Sequence, residues 1–324
     1  MQISLVCTVR DEADNIATLL DSMLAQARLP DEIVVNDCGS RDITAAIVAA
    51  YAARDPRVRL VRGGHNIPSG RNSAVAQASG DLIACTDAGL TLDPGWLAAI
   101  CAPLERGEAD LVGGFFAPAP HTLFELTLGA VNYRDVGEVD GETFLPFGKS
   151  MAFRRELWER VGGFPEWASH CEDLIFDLAA ERAGYRRAFA PAAVVRFRPR
   201  PSLRAFARQY ILYARGDGAA GLWPKRHVAR YLTYMGLLVT LGAMARKPWA
   251  RLPGLALIGL GAAGYTRGPY RRLWGRLAGR SPAERAYALA LVPIIRLVGD
   301  VAKMAGYPAG VLRRWRGQGR QSLP

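Results

Sequence analysis

Four short apolar runs punctuate the first ninety residues, and each closes on polar or turn-forming residues. They are 2–9 (QISLVCTV) before Arg10-Asp11-Glu12, 32–35 (EIVV) before Asn36-Asp37-Cys38-Gly39-Ser40, 57–61 (RVRLV) before the loop 63–70, and 82–85 (LIAC) before Thr86-Asp87-Ala88-Gly89. Runs of this length bounded by turn chemistry predict buried strands. Helical spacing fills the gaps. Ile16, Leu19, Leu20, Met23 and Leu24 mark a helix within 14–26, capped by Asp14 or Asn15. An Ala-rich helix is expected over 43–54, another enters through Arg71-Asn72 and runs to Gly80, and a fourth begins at Trp96 after Asp93-Pro94-Gly95. Strand alternating with helix predicts an α/β fold with a mostly parallel sheet and right-handed crossovers.

Past residue 100 the pattern is less regular. Residues 111–115 and 188–197 predict two further strands, 123–133 a helix or ordered loop, and 154–161 and 174–184 helices, the segment 147–153 leading into the first of these. Pro199-Arg200-Pro201 marks a boundary. We therefore divide the chain into 1–198, with halves 1–100 and 101–198, and a helical region 199–324. In that region 204–216 is basic and amphipathic, 231–245 and 252–266 are each 15 residues without a charge, and 286–295 is apolar. All three apolar stretches are shorter than the roughly 20 residues of a bilayer-crossing helix. The first two, joined by a basic turn at 246–251, suit a tight spanning hairpin, a re-entrant pair or helices lying in the interface.

Charge sharpens the division. Residues 1–195 hold 17 Lys/Arg against 27 Asp/Glu, a net of −10, whereas 196–324 hold 24 against three (Asp217, Glu284, Asp300), a net of +21. A basic, apolar back region predicts attraction to an anionic membrane surface, on its cytoplasmic face. Nucleic acid is a poorer partner, because the arginines alternate with long apolar runs instead of forming one polar basic face. Five cysteines (Cys7, Cys38, Cys85, Cys101, Cys171) form no CxxC pair, and their odd number argues for a reducing compartment. The N-terminus enters its first apolar run directly, so no secretory leader is expected. The turn after that run lacks Gly-x-Gly-x-x-Gly, which disfavours a dinucleotide-dependent oxidoreductase.

Polar residues thus collect at the carboxyl ends of strands, where open α/β sheets bind ligands. Asp37 is suited to accept a hydrogen bond from the ring N–H of a base, or to close an Asx-turn. Arg71 offers a planar fork of donors to a phosphate or an acidic neighbour. Asp87, beside Ala88-Gly89, is placed to approach a metal or phosphate, or else to cap the turn ahead of the next helix.

The order of these pieces over residues 2–215 resembles the family 2 glycosyltransferases, with their Rossmann-like GT-A nucleotide-sugar fold. Arg10-Asp11-Glu12 stands where that family has an Asn-Glu segment, and Asp37-Cys38-Gly39-Ser40-Arg41-Asp42 matches its Asp-Asp-Gly-Ser-x-Asp. Asn66 with Gly70-Arg71-Asn72 matches its Gly-x-x-x-Arg-Asn loop, and Glu172-Asp173 its acidic pair. The resemblance implies donor contacts from Glu12, Asp37, Ser40, Arg71, Asn72 and Asp87, and Asp173, aided by Glu172, as the general base of an inverting transfer. It places Gly148, Lys149 and His170 on the acceptor side and Arg208, Gln209 and Arg215 on a segment closing over the donor. The implied donor is a UDP- or GDP-sugar, and the acceptor a hydroxyl on a lipid-linked or envelope glycan. The family's Asp-x-Asp metal motif is reduced to Asp87-Ala88-Gly89, so a divalent ion (Mg2+ or Mn2+) rests on Asp87, with His170, two residues from the Glu-Asp pair, as a candidate further ligand or an ordinary loop histidine. That departure motivates a rival expectation, a noncatalytic relative that binds nucleotide-sugar or lipid without turnover.

Overall fold

The computed structural model describes residues 1–317, which divide into two compact units: residues 1–119 with 135–198, and residues 120–134 with the chain from 199 onward. The first unit opens with β1 (Ile3–Val9), α1 (Ile16–Leu24), β2 (Glu32–Asp37), α2 (Thr44–Ala52), β3 (Val58–Arg62), α3 (Ile67–Gln77) and β4 (Leu82–Asp87). A short β5 (Leu90–Leu92), α4 (Trp96–Glu105) and β6 (Leu111–Pro118) follow. The chain then forms α5 (Leu123–Asn132), which belongs to the second unit, and returns for β7 (Ser150–Arg154), α6 (Arg155–Val161), α7 (Glu172–Arg182) and β8 (Arg187–Phe197).

The eight strands form one mixed sheet in the order β3-β2-β1-β4-β7-β6-β8-β5. β3, β2, β1 and β4 are parallel, and β7 enters antiparallel between β4 and β6. The chain moves outward from β1 to β3 and then crosses back to β4 on the far side of β1. With right-handed crossovers, that reversal puts α3 on the opposite face from α1 and α2. It opens a switch point between the carboxyl ends of β1 and β4. The α3 face is filled by Val6, Val34, Ile83 and Cys85 of the strands, Val75 of α3, Leu157 of α6 and Phe176 of α7, with Phe153 and Phe164 between them. Helix α3 starts cleanly because Asn66 caps it reciprocally with Ser69 and Pro68 fills its first turn.

Two strands were not anticipated from the sequence. β5 is only three residues long. β7 reads as a lead-in to a helix because Ser150-Met151-Ala152-Phe153 is buried on both faces and shows no alternation. Its antiparallel course matters for the site: Ser150 pairs with Thr86, so the loop ahead of it arrives at the carboxyl end of β4.

The second unit is helical. It comprises α5, α8 (Leu203–Ala220), α9 (Pro224–Arg246), α10 (Arg251–Arg276) and α11 (Pro282–Trp315). Leu128 and Val131 of α5, Phe206 of α8, Leu273 of α10 and Leu291, Val292 and Ile295 of α11 share its core. Helices α8 and α11 touch backbone to backbone at Gly306 and Gly310, where a Cβ would stand 2.2 Å from the Ile211 carbonyl oxygen and 2.1 Å from that of Arg215. The apolar stretches seen in sequence are parts of longer helices: 231–245 closes α9, 252–266 opens α10 and 286–295 lies near the start of α11.

Candidate active site at the strand ends

Two groups of polar residues flank the carboxyl end of β1. On the β2 side, Asp37 is 4% exposed, and its Oδ1 accepts hydrogen bonds from the Ser40 backbone N–H (2.9 Å) and hydroxyl (2.6 Å). The Asx-turn reading of Asp37 is therefore realised, and it shapes the loop that follows β2. Asp11, held at positive φ, joins this loop: its N–H donates to Ser40 Oγ (3.0 Å) and its Oδ1 accepts from the Arg41 N–H (2.7 Å). The Glu12 N–H donates to Thr44 Oγ1 at 2.8 Å, and its carboxylate accepts from Asn15 at 2.8 Å.

On the β4 side, Arg71 comes up from α3 and is 2% exposed. Its Nη2 donates to Asp87 Oδ1 at 2.8 Å and its Nη1 to Glu172 Oε1 at 3.2 Å, with the Phe164 ring 4.9 Å beneath the guanidinium. Of the two partners anticipated for the fork, a phosphate or an acidic neighbour, it holds the second: two carboxylates, one at the end of β4 and one at the start of α7. The loop before β7 closes over it. A Cβ on Gly148 would fall 2.6 Å from Arg71 Nη2, so any side chain there would displace the guanidinium from its carboxylates, and the Gly148 N–H donates to Asp173 Oδ2 at 3.1 Å. The Lys149 carbonyl accepts from Thr86 Oγ1 at 3.0 Å, while its ammonium lies over the Phe116 and Phe197 rings.

Electrostatics follow from this packing. Burial pushes the Glu172 carboxyl up to about 7, neighbouring Asp173 adding to the effect and Arg71 opposing it. The opposing acids raise the pKa of Arg71, which stays charged despite its burial. Asp173 itself is half-buried and heads α7, where the helix dipole favours negative charge.

In register, Asp37 pairs with Val9 and Asp87 with Thr8, on opposite sides of β1. With neighbouring strands about 4.8 Å apart, the two groups stand roughly 10 Å from each other. That separation suits a ligand with a base at one end and a charged diphosphate at the other.

The structure thus brings Arg71, Asp87, Glu172, Asp173 and Gly148 together, and Asp37, Ser40 and Glu12 beside them. Asn72 points elsewhere: its amide donates to the Phe164 carbonyl (2.8 Å) and Glu166 (3.0 Å) and accepts from Trp158 (3.1 Å) and the Phe164 N–H (2.8 Å). All four of its hydrogen-bonding positions serve to clamp α3 to α6 and the loop beyond. His170 lies in the turn ahead of α7. Among the described residues no group of three or more His, Cys, Asp or Glu could hold a metal ion. Arg208, Gln209 and Arg215 lie on α8, in the second unit.

Sequence reasoning missed Asp177. One turn along α7 from Asp173, it is fully buried, and neither carboxylate oxygen has a hydrogen-bond partner among the described residues. Burial, with Asp173 nearby, pushes its carboxyl well above the usual range. The signal was present as an acid among the apolar positions Ile175, Phe176 and Ala180. Thr8 Oγ1 and Asn36 Oδ1, adjacent across β1 and β2, are likewise buried without a partner among the described residues.

The model of the family described as Glycosyl transferase family 2 matches residues 4–162. The O-antigen biosynthesis protein RfbC of Myxococcus xanthus is 26% identical over 57% of this chain, which spans only 16% of that relative's length. The glycosyltransferase AglE of Haloferax volcanii is 24% identical over 76% of this chain and 82% of its own. Among solved structures, the mannosyltransferase PcManGT from Pyrobaculum calidifontis, in complex with GDP-Man and Mn2+, superposes with a TM-score of 0.56 at 20% identity. That match covers 97% of this chain and 87% of the other, and it shows a GT-A type fold.

Proposed function

This chain belongs to glycosyl transferase family 2 across residues 4–162, and from that premise we propose that it is an inverting transferase moving a sugar from a nucleoside-diphosphate donor to a glycan hydroxyl. The observation that carries the reading is the Asp87–Arg71–Glu172 chain at the switch point, with Asp173 beside it under the Gly148 loop. Asp37 and Ser40 border the base end of the donor site, and Asp87 the diphosphate end.

In the reaction, the acceptor hydroxyl oxygen attacks the anomeric carbon from the face opposite the diphosphate. The bond from that carbon to the diphosphate oxygen breaks, and Asp173 takes the hydroxyl proton. One base suffices, and the anomeric centre inverts. Arg71 acts as an anchor: it fixes Asp87 and Glu172 so that the negative charge around the reacting carbon is held in place without reorganisation. Glu172, with its pKa near neutrality, sets how much negative charge stands beside Asp173.

Asp87 is the residue that would hold a divalent cation. Its hard oxygens suit Mg2+ or Mn2+, and with no second carboxylate in the motif Asp87 would be the one protein carboxylate holding the ion. Held there, the ion would supply charge neutralisation for the leaving diphosphate. The acceptor we assign is lipid-linked or envelope glycan, on the cytoplasmic side of an anionic membrane. The kinship to an O-antigen biosynthesis protein and the basic second unit both support that assignment.

The test is a donor screen over UDP- and GDP-sugars, scored by nucleoside diphosphate release with and without Mg2+ or Mn2+. Release that Asp173→Asn abolishes supports the reading. Donor binding without release, unchanged by the substitution, would instead make the protein a noncatalytic nucleotide-sugar binder.

A further inference from the structure

From Gly218 to Ala283 the chain contains no acid and eleven Lys/Arg. Within it α9 and α10 repeat one plan in opposite directions. Arg230 and Arg246 bracket a charge-free stretch on α9, and Arg251 and Arg267 bracket one on α10. Each pair is sixteen positions apart, about 24 Å along a helix. The cations therefore fall at two levels, the ends of the stretches, and not along one face.

The stretches between them are apolar almost all round. Leu238 and Val239 on α9 and Leu252 and Leu260 on α10 are 64–80% exposed, and α9 is long and apolar enough to cross a membrane, with none of its apolar window buried. A helix that is apolar all round, with no polar face, is a buried or membrane helix, not an interfacial one.

Their polar side chains make the same point. The two stretches contain six hydroxyls, and all bond within the protein. Thr233, Thr240 and Thr266 donate to the carbonyls of Ala229 (2.9 Å), Gly236 (2.8 Å) and Ala262 (2.7 Å) in their own helices. Tyr231 donates to the Met304 carbonyl (2.7 Å), and Tyr234 and Tyr265 both donate to Asp300, the acid that also binds Arg230. Such complete internal pairing is what a solvent without hydrogen-bonding groups demands.

We infer that α9 and α10 cross a lipid bilayer as a helical hairpin whose turn, residues 247–250, lies in the far headgroup layer. The 24 Å between arginine Cα atoms is shorter than the roughly 30 Å hydrocarbon core. Thinning of the bilayer around a short hairpin closes that gap. At the turn Arg246, Lys247 and Arg251 meet lipid phosphates, and Trp249, 73% exposed, sits where interfacial aromatics anchor a span.

The inference stands apart from the transferase reading, and its test does not use activity. Full-length protein carrying an N-terminal tag and Trp249→Cys is placed in sealed membrane vesicles of both orientations and treated with a membrane-impermeant maleimide. The wild-type chain, whose five cysteines are buried or half-buried, sets the background. Labelling of the cysteine from the face opposite the one on which the tag is digested by protease is the expected result, together with retention in the membrane after alkaline carbonate. Labelling from the tag's own face, labelling only after detergent, or release by carbonate overturns it. Transfer measured on the same variant in detergent reports separately on the strand-end site.

Discussion

The two ends of one sheet treat their acids in opposite ways. At the amino end, Glu32 opens β2 and is 8% exposed. Its carboxylate accepts from the Ser4 hydroxyl (2.6 Å), the Ser79 hydroxyl (2.8 Å) and N–H, and Arg59 (2.8 Å). Burial works against the charge, but these donors hold the carboxyl down at about 2. At the carboxyl end, Glu172 is 7% exposed, and among the described residues its one side-chain donor is Arg71, shared with Asp87. Burial and Asp173 prevail there, and its carboxyl rises to about 7. Solvent exposure is alike, but Glu172 lies deeper among protein atoms and has fewer donors. A fully paired acid stabilises the fold, whereas an underpaired one keeps its charge available to a ligand or a reaction.

The largest effect expected from breaking this contrast is at Asp173. Asp173→Asn should lower the transfer rate by about 10²–10⁴-fold with donor binding retained, as single-turnover kinetics and donor titration would show. At Glu172 the effect is on pH dependence. Ionisation as pH rises through about 7 adds negative charge where the acceptor's proton is drawn away, so the rate should climb across that range. In Glu172→Gln the climb should vanish; a profile that keeps its step near 7 would assign the ionisation elsewhere.

Glu32→Gln probes the other end. It should cost about 1.5–3 kcal/mol of stability in urea unfolding and leave the transfer rate per folded molecule unchanged. The sign follows from linkage: the folded pKa is depressed, so the contribution is present above about 4.5 and is lost as pH falls towards 2. The mutant's stability should therefore vary less over that acid range.

Two smaller changes sharpen the carboxyl end. Gly89 has φ +75° and open space where a Cβ would go, so Gly89→Asp is sterically admissible at about 1–2 kcal/mol of backbone strain. It supplies the missing second carboxylate, and Mn2+ affinity measured by calorimetry with bound nucleoside diphosphate should tighten about tenfold, which is about 1.4 kcal/mol. Asp177 carries a raised pKa in the folded chain, so it weakens folding progressively as pH rises above about 4. Asp177→Asn should raise Tm by about 2–4 °C at pH 8 and by much less at pH 4.

Strand ends were legible in the sequence because a buried parallel strand is a short apolar run that must stop at a turn, and each stop exposed its polar residues by name. The alternation of strand and helix likewise determined the α/β fold, and the charge-free stretches with basic flanks determined a helical second region. What those residues do to one another was decided only by the tertiary structure. β7 has no alternation to betray it, yet its antiparallel entry delivers Gly148 to Arg71 and Asp173. Arg71 and Glu172 are 101 positions apart in the chain, and only their packing decides that a fork suited to a phosphate or an acidic neighbour bridges two acids. Asn72 matched a motif, but its amide is consumed by a loop 92 residues away. Sequence patterns record local periodicity and the chemistry each position offers; partners and desolvation, which set every pKa and hydrogen bond described above, exist only once distant segments have packed.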